Sequence, residues 1–252
     1  MRLSRIALSS ACALLVASTV LAQQPPRTII EVNRQKVLPG HAGQYEAARK
    51  KHMEWHKQAG DQWTWTVWEV TSGPDTGTYL VTTANHQWAD YDSWTAKNGA
   101  GDSADSSASI GPHVAGNDRS YWTTRPDLSL WPTSNDLPPM GTLTVYYLKP
   151  GMGDQFASAV TKLTGALGKS KWPLNSMWYQ LSNGGEPAFA VFVPRKGWAD
   201  MQAITPSMGD RVKQQLGDAE AEATWKAMFA AVDRSRSEML ELRTDLGYRP
   251  AQ

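Results

Sequence analysis

Between Tyr45 and Lys57 the chain separates by polarity along a helical period. Tyr45, Arg49, His52 and His56 fall within an arc of about 60°, while Glu46, Lys50, Glu54 and Lys57 gather on the opposite side. The stretch before it, Thr28 to Val37, reads as extended and ends at the Pro39-Gly40 turn, where a helix can begin. The helix is expected to run to about Ala59, with Gly60 as its stop signal. Two β-rich runs follow, WTWTVWEV from Trp63 and GTYLVTT from Gly77, and the turn-rich SGPDTG between them makes a hairpin. A second helical region opens near Trp88, and a last strand leads to Asp127.

The same pattern returns about 110 residues later, and self-similarity on that scale decides the fold. VLPGHAGQYEAARKKH, from Val37, lies without a gap over LKPGMGDQFASAVTKL, from Leu148. TYLVTTANHQWADYDSW matches AFAVFVPRKGWADMQAI after a single-residue shift, with Trp88-Ala89-Asp90 on Trp198-Ala199-Asp200. Near the ends, Arg125-Pro126-Asp127-Leu128 resembles Arg243-Thr244-Asp245-Leu246. The second copy therefore predicts a strand over Gly141 to Leu148, a helix to Lys169, a hairpin of LNSMWYQL and AFAVFV, and a helical region opening near Trp198. Each copy has the order βαββαβ, a ferredoxin-like unit. The fold class is α+β, with two tandem units (27–131 and 140–250) pairing sheet to sheet as an intramolecular α/β barrel, and the polar, proline-rich 132–139 (PTSNDLPP) linking them.

Composition narrows the setting. Residues 1–22 read as an export signal, with Arg2 and Arg5, an apolar run from Ile6 to Leu21, and cleavage expected after Ala22. Localisation is then periplasmic or secreted. Cys12, the one cysteine, lies in that signal, so the mature chain has no thiol for a disulfide or a thiolate metal site. The formal charge of +1 includes Arg2 and Arg5, and without them it is −1, which argues against a nucleic-acid partner. No later stretch approaches the ~20 apolar residues of a membrane span, so no membrane insertion is expected of the mature form.

The strand, Pro-Gly turn, amphipathic helix, hairpin and Trp-Ala-Asp helix start together resemble the dimeric α/β barrel superfamily, especially its NIPSNAP-like and antibiotic-biosynthesis-monooxygenase-like branches. The resemblance implies ligands held between a sheet and its own helices. It spans cofactor-free oxygenases, haem enzymes, isomerases and proteins without known activity, so the cofactor is unknown. It also implies that the two halves satisfy internally the pairing that single-unit relatives obtain by dimerising, giving a monomer with an internal pseudo-dimer, higher oligomers being possible.

The repeat singles out one helix. Tyr45, Arg49, His52 and His56 align with Phe156, Val160, Leu163 and Leu167, a plain core stripe. Burying the polar set against a sheet costs several kcal/mol unless it finds partners, water or a ligand, so the first half is expected to be the active half and the second its support. His52 and His56 are the candidate acid/base groups, with Tyr45 and Arg49 as ligand-binding residues, Arg49 holding a carboxylate or enolate oxygen. A metal is not assigned: Met53 occupies the place of the zinc-protease glutamate, Glu54 points roughly 200° from His52, and the Arg49 charge opposes a cation. On the first strand, Glu31, Asn33 and Gln35 share one face and Val32, Arg34 and Lys36 the other; which one meets the helix stays open at this level.

Trp63, Trp65 and Trp68 are candidates to wall a cleft for an aromatic molecule, against ordinary strand packing as the alternative. His113 is a candidate to reach the same cleft, while His41 and His86 are expected in exposed loops. Lys97 to Ser109 (KNGAGDSADSSAS) reads as a flexible surface loop or a lid. Trp225, Met228, Phe229 and Val232 are expected in the second-half core. Two functions remain: capture of a small, anionic or aromatic organic ligand, or a cofactor-free or haem-dependent oxygenase or isomerase using the same cleft.

Overall fold

The computed structural model describes residues 28–134 and 136–250. The proposed export signal lies outside the described residues. The first half contains β1 (Ile29–Val37), α1 (Ala42–Gln58), β2 (Thr66–Val70), β3 (Thr78–His86), α2 (Trp88–Trp94), α3 (Ala100–Ser109) and β4 (Val114–Thr124). The second contains β5 (Met140–Leu148), α4 (Gly153–Lys169), β6 (Met177–Asn183), β7 (Ala188–Arg195), α5 (Met208–Leu216), α6 (Asp218–Ala231) and β8 (Val232–Leu242).

The eight strands close into one antiparallel barrel in the order β1-β3-β2-β8-β5-β7-β6-β4, with β4 returning to β1. Within each half the order is last, first, third, second, and the halves join at β2–β8 and β4–β6. Closure leaves no free sheet edge among these strands. The turns before α1 and α4 place Gly40 and Gly151 at φ of 80° and 77°, a region that residues with a Cβ avoid.

Alternation along the strands creates two separate interiors. Outside the barrel, α4 packs Phe156, Val160, Leu163 and Leu167 onto Trp178, Phe189 and Val191, a hydrocarbon layer in which each fully buried large side chain is worth about 1.5–3 kcal/mol. Inside it, Trp68, Leu80, Phe192 and Leu240 pack together, and a cavity of about 830 Å³ passes Val32, Leu143, Val145 and Tyr179. Trp68 therefore faces the lumen and does not wall the helix side. On β1, Val32 and Arg34 point into the lumen, whereas Glu31, Asn33 and Gln35 are buried on the helix side.

Several expectations need correcting. Lys97 to Ser109 is helical: a π-helical turn, Thr95–Gly99, joins α2 to α3. Its small and acidic residues are poor evidence of a helix in isolation, and packing against α1 overrides that weak propensity. The segment at Trp198 forms only a short 3₁₀ turn, Trp198–Met201, and the next helix starts at Met208 behind the Ser207–Asp210 capping box. In α6 the buried face is Ala221, Thr224, Met228 and Ala231. Trp225 and Val232, the first residue of β8, pack partly buried against this core with Met228, as expected, whereas Phe229 is 56% exposed and stacks on Trp225.

Candidate active site

Helix α1 directs Tyr45, Arg49, His52, Met53 and His56 onto the sheet, all of them buried. The inward polar stripe is thus as deep as the hydrocarbon stripe of α4. Tyr45 donates its hydroxyl to Gln35 Oε1 at 2.6 Å and packs on the Tyr79 ring; burial pushes its phenol up to about 12. Asn33 Nδ2 donates to Glu31 Oε1 at 2.8 Å, and Arg119 donates Nε to Asn33 Oδ1 at 3.0 Å while lying 3.2 Å from Glu31. Burial holds the Glu31 carboxyl above its ordinary value, against the opposing pull of Arg119 and Asn33.

Each histidine is held by a carboxylate from outside α1. His56 Nδ1 is 2.8 Å from Asp61 Oδ2, and His52 Nδ1 is 2.6 Å from Asp105 Oδ2. Asp61, 0% exposed, also accepts Trp65 Nε1 at 2.9 Å, Trp94 Nε1 at 2.9 Å and the Trp63 backbone N–H at 3.0 Å. Burial pushes the Asp61 carboxyl up, but the donors from His56, Trp65, Trp63 and Trp94 more than offset it and leave it below its ordinary value. An ionised carboxylate accepts only, so His56 Nδ1 must carry the proton. Burial, helped by the neighbouring His52, keeps the His56 imidazole below its ordinary value in spite of the Asp61 bond.

The remaining ring nitrogens converge. His52 Nε2 lies 3.2 Å and His56 Nε2 3.5 Å from the same atom, Asp102 Oδ1. Asp102 arrives there because α3 crosses α1 closely at Gly101, where a Cβ would stand 2.8 Å from Trp55 Cζ2. Arg49, one turn before His52, is 3% exposed, and its Nε and Nη2 have no hydrogen-bond partner. Burial draws its charged form down, opposed by Tyr45 and Asp102.

Tyr45, Arg49, His52 and His56 are thus brought together, whereas the other candidates play different parts. Trp65 is buried and occupied with Asp61; Trp63 stacks on His86 and Trp94, its ring 3.8 Å from that of His86. His86 is buried, with Nε2 2.6 Å from Thr83 Oγ1, which corrects its expected exposure. His113 does not join the His52–His56 pair: it faces the half-buried His41, Nδ1 to Nδ1 at 3.2 Å, because the turn preceding β4 pairs with the β1–α1 turn. Asp61, Asp102 and Asp105 were missed by the sequence reading. A signal was available in the i, i+3 spacing of Asp102 and Asp105, but it has meaning only if that segment is helical.

A haem does not fit these residues. His52 and His56 are 2% and 1% exposed and both turn Nε2 to Asp102, which leaves no flat open face for a macrocycle.

No protein-family model and no curated protein sequence matches the chain. Solved structures match its shape. A candidate monooxygenase from Lactobacillus acidophilus NCFM aligns with a TM-score of 0.53 at 9% identity, over 89% of this chain and 97% of the other. An anthrone oxidase-like protein aligns with a TM-score of 0.54 at 12% identity, over 86% and 92%. A mutant chlorite dismutase from Candidatus Nitrospira defluvii gives 0.53 at 7% identity, over 86% and 92%. At such identities the likeness establishes the fold, a ferredoxin-like α/β barrel, and leaves function to the site.

Proposed function

We propose that this chain is an exported small-molecule-binding protein, and that the helix–sheet space of its first unit, 27–131, holds an organic anion. The second unit, 140–250, is its supporting copy, and the molecule works as a monomer with an internal pseudo-dimer. The observation that carries the reading is Arg49, buried to 3% with Nε and Nη2 unpartnered. A buried guanidinium with idle donors is costly, and a carboxylate or enolate oxygen is the partner that would offset the cost. Tyr45, His52 and His56 complete the polar surroundings, and the second half offers hydrocarbon at all four positions.

An oxygenase-type or isomerase-type reaction is the alternative in the same space. The observation favouring it is that both histidines have Nδ1 fixed by a carboxylate and Nε2 directed inward, an arrangement suited to proton transfer. The proteins similar in fold include an anthrone oxidase-like protein and a chlorite dismutase, which is compatible with such chemistry.

Native mass spectrometry and absorption spectra of the purified mature protein test the binding reading, with Arg49→Val, the second-half residue, as comparison. A co-purifying or titrated organic acid bound by wild type and lost in a folded Arg49→Val protein is expected. Equal binding by the two proteins would remove Arg49 from the site.

A further inference from the structure

The geometry points to a divalent transition-metal site formed by Nε2 of His52, Nε2 of His56 and the carboxylate of Asp102. This inference rests on the reading of the first-unit helix–sheet space as the working site, and it supplies that site with a cofactor.

The three ligand atoms lie within 4.8 Å of one another. Around a metal bound at ~2.1 Å, neighbouring ligand atoms are separated by ~3 Å in octahedral and ~3.4 Å in tetrahedral geometry. The 3.2 Å and 3.5 Å separations from Asp102 Oδ1 fall close to that range. The outer partners agree. Asp61 and Asp105 hold the two Nδ1 atoms, the carboxylate–histidine–metal relay that fixes a tautomer and turns the Nε2 lone pair inward. Both Nε2 atoms then face the same Asp102 carboxylate oxygen, so that one cation would be shared by all three side chains.

Charge and local backbone point the same way. Arg49, taken alone, disfavours a cation on this face, but α3 and the turn after α1 bring Asp102, Asp105 and Asp61 to the two histidines, three carboxylates against one guanidinium. The π-helical turn Thr95–Gly99 and the close approach at Gly101 set the register that delivers Asp102; single π turns inside helices recur at functional sites. Two imidazoles and one carboxylate match iron(II), manganese(II), cobalt(II) or zinc(II), and leave coordination positions open. An organic anion held by Arg49, whose donors are idle, would occupy one of them.

The test is metal analysis of the full mature protein as purified, followed by chelator treatment and titration with cobalt(II) and zinc(II), with cobalt absorption bands reporting the ligand field. One equivalent per chain is expected. Affinity should fall by at least ~100-fold in Asp102→Asn and in His52→Leu/His56→Leu, and by roughly 10–100-fold in Asp61→Asn. Asp102→Glu, which keeps a carboxylate, should retain cobalt bands. Circular dichroism identifies folded variants, and thermal stabilisation of wild type by zinc, absent in folded Asp102→Asn, gives a second readout. No stoichiometric ion in wild type, or unchanged affinity in the folded variants, overturns the site. Benzoate titrated into metal-free and metal-loaded protein separates the two ideas. Benzoate binding that needs Arg49, without any metal uptake, sinks the metal site alone; metal uptake without organic-acid binding sinks the organic-anion reading alone.

Discussion

His56 Nδ1 lies 2.8 Å from Asp61 Oδ2, and the two side chains are 1% and 0% exposed. Trp65 and Trp94 aim their indole N–H groups at the same carboxylate. Helix α1, the strand-leading segment before β2, and α2 thus converge on one buried anion. Asp61→Asn puts an amide N–H₂ among donors and removes a charge that the pocket is built to hold. It should cost about 3–5 kcal/mol, measured as a shifted denaturant midpoint by tryptophan fluorescence. A change below about 1 kcal/mol would show that the pocket tolerates a neutral group.

His52 and Asp105 offer a cleaner energetic test, because their 2.6 Å contact joins two helices and Asp105 remains partly solvated, its side chain 27% exposed. A double-mutant cycle with His52→Leu and Asp105→Ala should give a coupling energy of about 1–3 kcal/mol. Additive effects would mean that α3 is held on α1 by other contacts.

Gly101 tests the crossing of α3 over α1. Ala there drives a Cβ to 2.8 Å from the Trp55 ring, so Gly101→Ala should destabilise by about 1–3 kcal/mol. In a Trp55→Ala background the clash disappears, and the better helix propensity of alanine should make the same change neutral or favourable by up to ~1 kcal/mol. Thermal melts of the four proteins decide it; a penalty unchanged by Trp55→Ala would refute the contact.

Acid stability should depend on Arg243. Its guanidinium donates to Glu46 of α1, Glu69 of β2 and Asp245. It holds the Glu46 carboxyl below its ordinary value and draws Asp245 down to about 2. Carboxyls depressed in the folded state contribute stability above their unfolded values near 4, and that contribution is lost as pH falls towards about 2. Asp245 is 44% exposed, so solvent screening keeps the effect small. Denaturant midpoints from pH 6 to 2 should fall less steeply in Arg243→Gln than in wild type; parallel curves would remove this network from the acid response.

The lumen is a second place to look for ligands. Its cavity of about 830 Å³ is lined by Trp68, Leu80, Tyr179 and Phe192, and Ala190 lies on its wall. A fluorescent naphthalene sulfonate should bind wild type there and be excluded by Ala190→Trp. Undiminished fluorescence in a folded Ala190→Trp protein would place the dye elsewhere.

Much of this was legible along the chain. The Pro-Gly turns, the gap-free match of α1 with α4 and the hairpins fixed the kind and order of most elements, since each depends on neighbours within a few residues. The inward stripe was legible too, because helical spacing alone puts Tyr45, Arg49, His52 and His56 on one face, where the aligned positions of α4 carry hydrocarbon. Lys97 to Ser109 was not. Gly, Ser and Asp disfavour a helix locally, and the contacts that impose one, Gly101 against Trp55 and Asp105 on His52, join residues 46 and 53 positions apart.

What the sequence by itself determined is therefore the local order of strands and helices and which side chains share a face, because backbone period and turn chemistry act at short range. Only the tertiary structure decided which face of β1 meets α1, that Trp68 points into a lumen, and that Asp61, Asp102 and Asp105 close around the histidines. Those relations arise where separate elements come together, and burial, far more than spacing, sets their charge and hydrogen bonding.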